Sequence, residues 1–137
     1  MNREDIYKFI RAHEYGVLST VTPDARPEAA LVGIAVAPTL EIVFDSINTN
    51  RKCRNLERNP HIAFVIGWEN ERTLQLEGVA DMPRDEELER VANIYREAWP
   101  QAGNREMWPG HVYWRVRPKW LRLSSYQMPY QIDEMNF

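Results

Sequence analysis

Apolar side chains recur at three- and four-residue steps in three stretches of this 137-residue chain, and alternate or run together almost everywhere else. The first stretch is "NREDIYKFIRAHEYG". Asn2 is placed to cap a helix, Glu4 and Asp5 fill its first turn, Ile6, Phe9 and Ile10 make its apolar stripe, and Gly16 ends it. The second is short, "NTNRKCRNLERNP" over 48–60, with Asn48, Thr49 or Asn50 as the cap and Pro60 as the stop. The third runs from Arg84 to Trp99. Leu88, Val91, Tyr95, Ala98 and Trp99 share a face, Asp85, Glu86 and Glu87 suit the positive helix start, and Pro100 terminates it.

The remaining apolar runs read as strands. "VLSTVT" is followed by the turn "PDAR", then by "PEAALVGIAVA" as one long strand that Pro38 and Thr39 break. "LEIVFDS" and "HIAFVIGW" flank the short helix, "ENER" turns the chain, and "TLQLEGVADM" alternates as a half-buried strand. "QAGNREMWPG" reads as a loop, "HVYWRVRP" and "KWLRLSSY" as two last strands, and the residues from Gln127 as loop. Short strands joined by tight turns predict a mainly β, antiparallel sheet closed or nearly closed into a barrel, with flanking helices, in a single domain over 1–137.

Composition narrows the partners. A formal net charge of -3 and an isoelectric point near 5.6 argue against nucleic acid, which usually selects a basic surface. The lone cysteine, Cys53, permits no internal disulfide and fits the reducing cytoplasm. No apolar run approaches the ~18 residues that suggest a membrane span.

One local charge pattern stands out. The short helix starts with Arg51 and Lys52, where the unpaired N–H groups of a helix favour carboxylates. Either both side chains point into water, or an anion at the helix end turns them into a cationic pocket with Ser46 as an added hydroxyl donor. In "AALVGIA", the small residues Ala29, Ala30, Gly33 and Ala35 suit either a flat ligand close to the backbone or a helix packed tightly on the sheet. A phosphate pocket beside a flat apolar platform describes a mononucleotide.

The segments "GVLSTVTPDARPEAALVGIA", "IVFDSINTNRKCRNLERNPHIAFVIG", "TLQLEGVADM" and "WRVRPKWLRL", in this order from about residue 8 to 125, resemble the pyridoxamine 5'-phosphate oxidase-like family. The resemblance implies a split β-barrel that dimerises, with flavin mononucleotide (FMN) in a cleft between two subunits. It implies that Arg51 and Lys52 hold the FMN phosphate, that Asp45 and Ser46 contact the cofactor, and that Ala30, Leu31, Val32 and Gly33 line its ring. Thr73 stands where the family has a glutamine near that ring. The vitamin-oxidising members carry a basic pair around the second strand and an Arg-Leu-His tail, whereas this chain is apolar after Glu28 and ends "SSYQMPYQIDEMNF". The expected function is therefore an FMN-dependent oxidoreductase acting on some other small molecule. The deazaflavin F420, or a flavin- or haem-binding module without turnover, are the alternatives.

No metal site is expected, because the spacings of His13, His61 and His111 match no ligand motif. Cys53 has Leu56 three residues on and is expected to pack in the core. Of the many C-terminal aromatics, most are expected to fill the barrel or the dimer seam, with Trp108 and Trp114 as the pair that walls a pocket over the flavin.

Overall fold

The computed structural model describes residues 1–137. Helix α1 (Arg3–Arg11) starts at a reciprocal capping box: the Asn2 side chain accepts from the Asp5 N–H and the Asp5 carboxylate accepts from the Asn2 N–H. Strands β1 (Tyr15–Val21) and β2 (Pro27–Gly33) form a hairpin, and β3 (Ala35–Val36) and β4 (Ile42–Ile47) form a second. Helix α2 (Arg51–Arg58), β5 (His61–Ile66), a single 3-10 turn at Glu69–Glu71, and β6 (Arg72–Asp81) follow. The chain finishes with α3 (Asp85–Ala98), α4 (Ala102–Arg105), β7 (His111–Ser125) and β8 (Gln131–Asn136).

The strands pair in the order β2-β1-β5-β6-β7-β4-β3, all antiparallel, with β8 added to β7. β2 and β3 lie at opposite edges of that order, yet only Ile34 separates them in sequence. Consecutive Cα atoms are about 3.8 Å apart, so the two edges must come together at this point. The sheet is thus curled in the manner of a split barrel. Its interior is filled by residues such as Leu18, Phe44, Phe64, Ile66, Leu74 and Leu121, and α1 and α2 add Ile6, Ile10, Cys53 and Leu56. A second cluster, Val43, Val91, Ala92, Tyr95 and Tyr113, lies outside the barrel where α3 covers β4 and β7.

Four expectations are corrected. "PEAALVGIAVA" is two strands: the Ile34 N–H still bonds the Glu14 carbonyl at 2.9 Å, in register with the Tyr15–Gly33 pair, and from Ala35 on the chain pairs instead with β4, Ala35 opposite Val43. "HVYWRVRP" and "KWLRLSSY" are one 15-residue strand: the register with β6 shifts between Glu77 and Gly78, and the bulge absorbs Pro118, which has no N–H to donate. Gly78 is required there, since a Cβ would stand 2.5 Å from the Arg117 carbonyl oxygen. The presumed loop after Trp99 contains α4, and the presumed tail loop contains β8.

Helix α3 is fastened by a buried cation. Arg115, on β7 and 4% exposed, forks onto Asp81 (Nε–Oδ1 3.0 Å, Nη2–Oδ2 2.7 Å) and donates from Nη1 to Glu87 on α3 at 3.0 Å. Arg90 extends the group by bonding both Glu87 and Glu41.

Candidate functional site

The start of α2 carries unspent donors. Asn50 is its N-cap, but the Asn50 side chain makes no capping bond; its Nδ2 donates instead to Ser46 Oγ at 3.0 Å. The Cys53 and Arg54 N–H groups bond the Asn50 carbonyl, which leaves the N–H groups of Arg51 and Lys52 without an acceptor. No acidic residue lies in the first turn. Arg51 is well exposed and ion-pairs with Glu28 on β2; half-buried Lys52 enters no ion pair. Two free backbone donors, two cations and a hydroxyl at one helix end have the chemistry of a phosphate seat, so these residues fit the phosphate of a mononucleotide.

The arrangement around Arg51 was not visible in the sequence. Asn55, buried on α2, donates from one amide nitrogen to Thr20 Oγ1 at 3.0 Å and to Glu28 Oε1 at 2.7 Å, and the other Glu28 oxygen faces Arg51. Glu28, Ala30 and Val32 share the inward face of β2, so a carboxylate there looks into the barrel end rather than into water. Its only available signal was a charged residue in phase with buried ones.

The other predicted residues divide between places. Ser46 is buried beside Asn50, whereas Asp45, one residue earlier, points to the opposite side of β4. There Asp45 accepts from Tyr95 Oη, Arg105 Nε and His111 Nε2, each at 3.0 Å. Burial opposes its charge, but those three donors and the Arg105 cation hold its carboxyl below the usual range. Burial, with Asp45 adjacent, raises the Tyr95 hydroxyl well above the ordinary phenol range.

On β2, Ala30 is half-buried, Leu31 points outward and is 61% exposed, and Val32 joins the core. Gly33 is covered by α3: a Cβ there would stand 2.9 Å from Trp99 Cζ2 and 3.1 Å from the Tyr95 hydroxyl. Helix packing therefore accounts for this glycine, in place of the close ligand approach its sequence context allowed. Thr73 pairs with Ser124, at the far end of β7 from His111 and hence far from α2 in the same chain. Trp114 is corrected: it is buried in the barrel core and walls no open pocket. Its indole N–H is the one buried side-chain polar atom without a partner, a donor left unspent at a cost of about 1–3 kcal/mol. Trp108 is exposed, and Cys53 is buried in the core as its helical phase indicated.

β2 is an edge strand, bonded on one side only to β1. On its outward face, register aligns Leu31 with Val17 and Val17 with Val65, an apolar row across three strands in which Leu31 and Val65 are exposed. Thr73 lies on this same outward face of the sheet, in phase with exposed Gln75 and Glu77.

Comparison with known proteins agrees with this architecture. The matched segment of the pyridoxine/pyridoxamine 5'-phosphate oxidase of Rubrobacter xylanophilus is 39% identical over 72 residues, which is 52% of this chain and 33% of that protein. The match therefore spans about a third of that relative's length. The solved structure of a heme-binding protein from Mycobacterium smegmatis superposes with a TM-score of 0.85 at 21% identity, covering 99% of this chain and 58% of that one. HutZ, described as a heme storage protein from Vibrio cholerae, superposes with a TM-score of 0.74 at 20% identity, covering 85% and 89%. At such identities these two structures establish the shared fold. The family profile described as pyridoxamine 5'-phosphate oxidase matches residues 3–125, nearly the whole of the curled sheet and its helices, and the chain belongs to the pyridoxamine 5'-phosphate oxidase-like family.

Proposed function

We propose that the protein is an FMN-binding flavoprotein that works as a homodimer and an oxidoreductase on a small molecule other than pyridoxamine phosphate. The observation that carries this reading is the uncapped start of α2, with its two free N–H groups, Arg51, Lys52 and the buried Ser46 hydroxyl. Arg51 and Lys52 would hold the FMN phosphate, and Asn55, through Glu28, would keep Arg51 at the rim. The flavin itself supplies hydride or electron transfer; the chain supplies binding, orientation and exclusion of water.

The distribution of the site residues supports a dimer. Thr73 and Leu31 lie on the outward sheet face, whereas Arg51, Lys52 and Ser46 lie at the barrel end. A second chain on the apolar row Leu31–Val17–Val65 supports a cleft built from both subunits. β2 carries no basic side chain after Glu28, which speaks against a second phosphate at that strand and so against a phosphorylated vitamin as substrate. The lone, buried Cys53 is compatible with a cytoplasmic protein, and no helix is long and apolar enough to cross a membrane.

Titration with FMN and with riboflavin, followed by visible absorption, tests the reading. Arg51→Ala combined with Lys52→Ala is expected to weaken FMN binding by about 2–4 kcal/mol, two charged contacts less the Arg51–Glu28 pairing already present. Riboflavin, which has no phosphate, is expected to bind both proteins equally. FMN binding that ignores the double substitution would remove the phosphate from α2. A Soret band, or deazaflavin absorption, in the purified protein would replace FMN by haem or F420.

A further inference from the structure

On the other side of β4 from Ser46, helix α3, the segment before it and the start of β7 enclose a cleft of about 320 Å³. Met82, Leu88 and Val112 make much of its wall, and His111 and Glu106 lie on its polar side. The His111 side chain is 6% exposed. Its Nε2 lies 3.0 Å from Asp45 Oδ2, and Asp45, kept ionised by the Arg105 and Tyr95 donors, only accepts, so Nε2 carries a proton. Nδ1 has no partner in the chain. It is not sealed away, since the Trp114 indole nitrogen is the only sealed side-chain polar atom without a partner. A nine-tenths buried imidazole that lines a half-apolar cleft, is oriented from behind and keeps its second nitrogen unpartnered and unsealed has the features of a recognition group.

The surrounding charge selects the ligand. Glu106 is oriented by the Tyr113 hydroxyl at 2.6 Å and by Arg96 Nε at 2.9 Å, and Glu89 stands 3.7 Å from Arg96 on the rim. Of the residues that line the cleft, the carboxylates are Glu89 and Glu106 and the guanidinium is Arg96, two against one. The available lone pairs and the negative surplus favour a cationic donor over an anion or a pure acceptor.

We propose that this cleft binds a small primary amine, its ammonium group donating to His111 Nδ1 and its apolar body lying on Met82, Leu88 and Val112. The inference stands apart from flavin binding at α2, because none of its contacts involves Arg51, Lys52 or Ser46. Benzylammonium chloride, titrated into the 137-residue chain while the His111 imidazole nitrogens are followed by NMR, is the test, with benzoate as the same-sized anion. A saturable shift of the His111 Nδ1 resonance is expected with benzylammonium, and roughly tenfold or weaker binding of benzoate. His111→Gln is expected to lower benzylammonium affinity roughly tenfold. Leu88→Lys, a change at a half-open helix position outside both apolar clusters, is expected to do the same with the thermal midpoint unchanged. A His111 resonance that does not move, benzoate binding as tightly as the amine, or undiminished amine binding by Leu88→Lys would overturn the assignment.

Discussion

Asp45 shows how much one side chain can organise. With Tyr95, Arg105 and His111 all donating to it, its charge is a structural component that joins β4 to α3, α4 and β7. Because its pKa is lowered on folding, ionised Asp45 stabilises the protein at pH values above the ordinary aspartate range near ~3.9. That stabilisation is lost as the pH falls through the depressed native value. Glu106 has the same sign: burial opposes its charge, but bonds from Tyr113 and Arg96 hold its carboxyl low. Asp45→Asn is expected to cost about 1–3 kcal/mol near neutral pH. In urea unfolding from pH 6 down to pH 2, the gap between the two proteins should close at the acid end. A gap that stayed constant across that range would mean that the carboxylate charge has no part in it.

Among the elements, α3 depends on electrostatics as well as on apolar contact. Arg115→Ala removes the fork that joins Asp81 to Glu87 and leaves those carboxylates together. The expected cost is about 2–4 kcal/mol, below that of a fully buried pair because Asp81 and Glu87 keep some water. Arg115→Lys should recover only part, since an ammonium cannot make the two-pronged bond to Asp81. Chemical denaturation of both variants measures this. Helix α1 was legible because its cap, acids and stripe are all local, and α3 because its stripe is long. The break at Ile34 was not, because nothing near it in sequence tells that Ala35 exchanges β1 for a new partner at Val43 on β4. The single β7 was hidden by Pro118, which reads as a stop unless the bulge opposite Gly78 is known. The cationic, acid-free start of α2 was legible from Arg51 and Lys52 alone, whereas the His111–Asp45 pair joins residues that only the β4–β7 pairing brings together.

For the whole molecule, the outward row Leu31–Val17–Val65 and the unpaired side of β2 predict that association and cofactor binding are linked. Leu31→Asp is expected to shift the protein to monomer in sedimentation velocity and to reduce FMN affinity at the same time. A monomeric variant that still bound FMN at full strength would place the whole cofactor site within one chain. β7 is the strand on which the rest of this architecture turns. β4 pairs with it over His111–Val116 and β6 over Arg115–Ser125, and past the bulge β8 takes the place of β4 over Trp120–Ser125. β8 thus works as a cover strip. Peeled away, it would lay bare a run of hydrogen-bonding backbone backed by Leu121 and Leu123, a template to which any loose extended peptide could adhere.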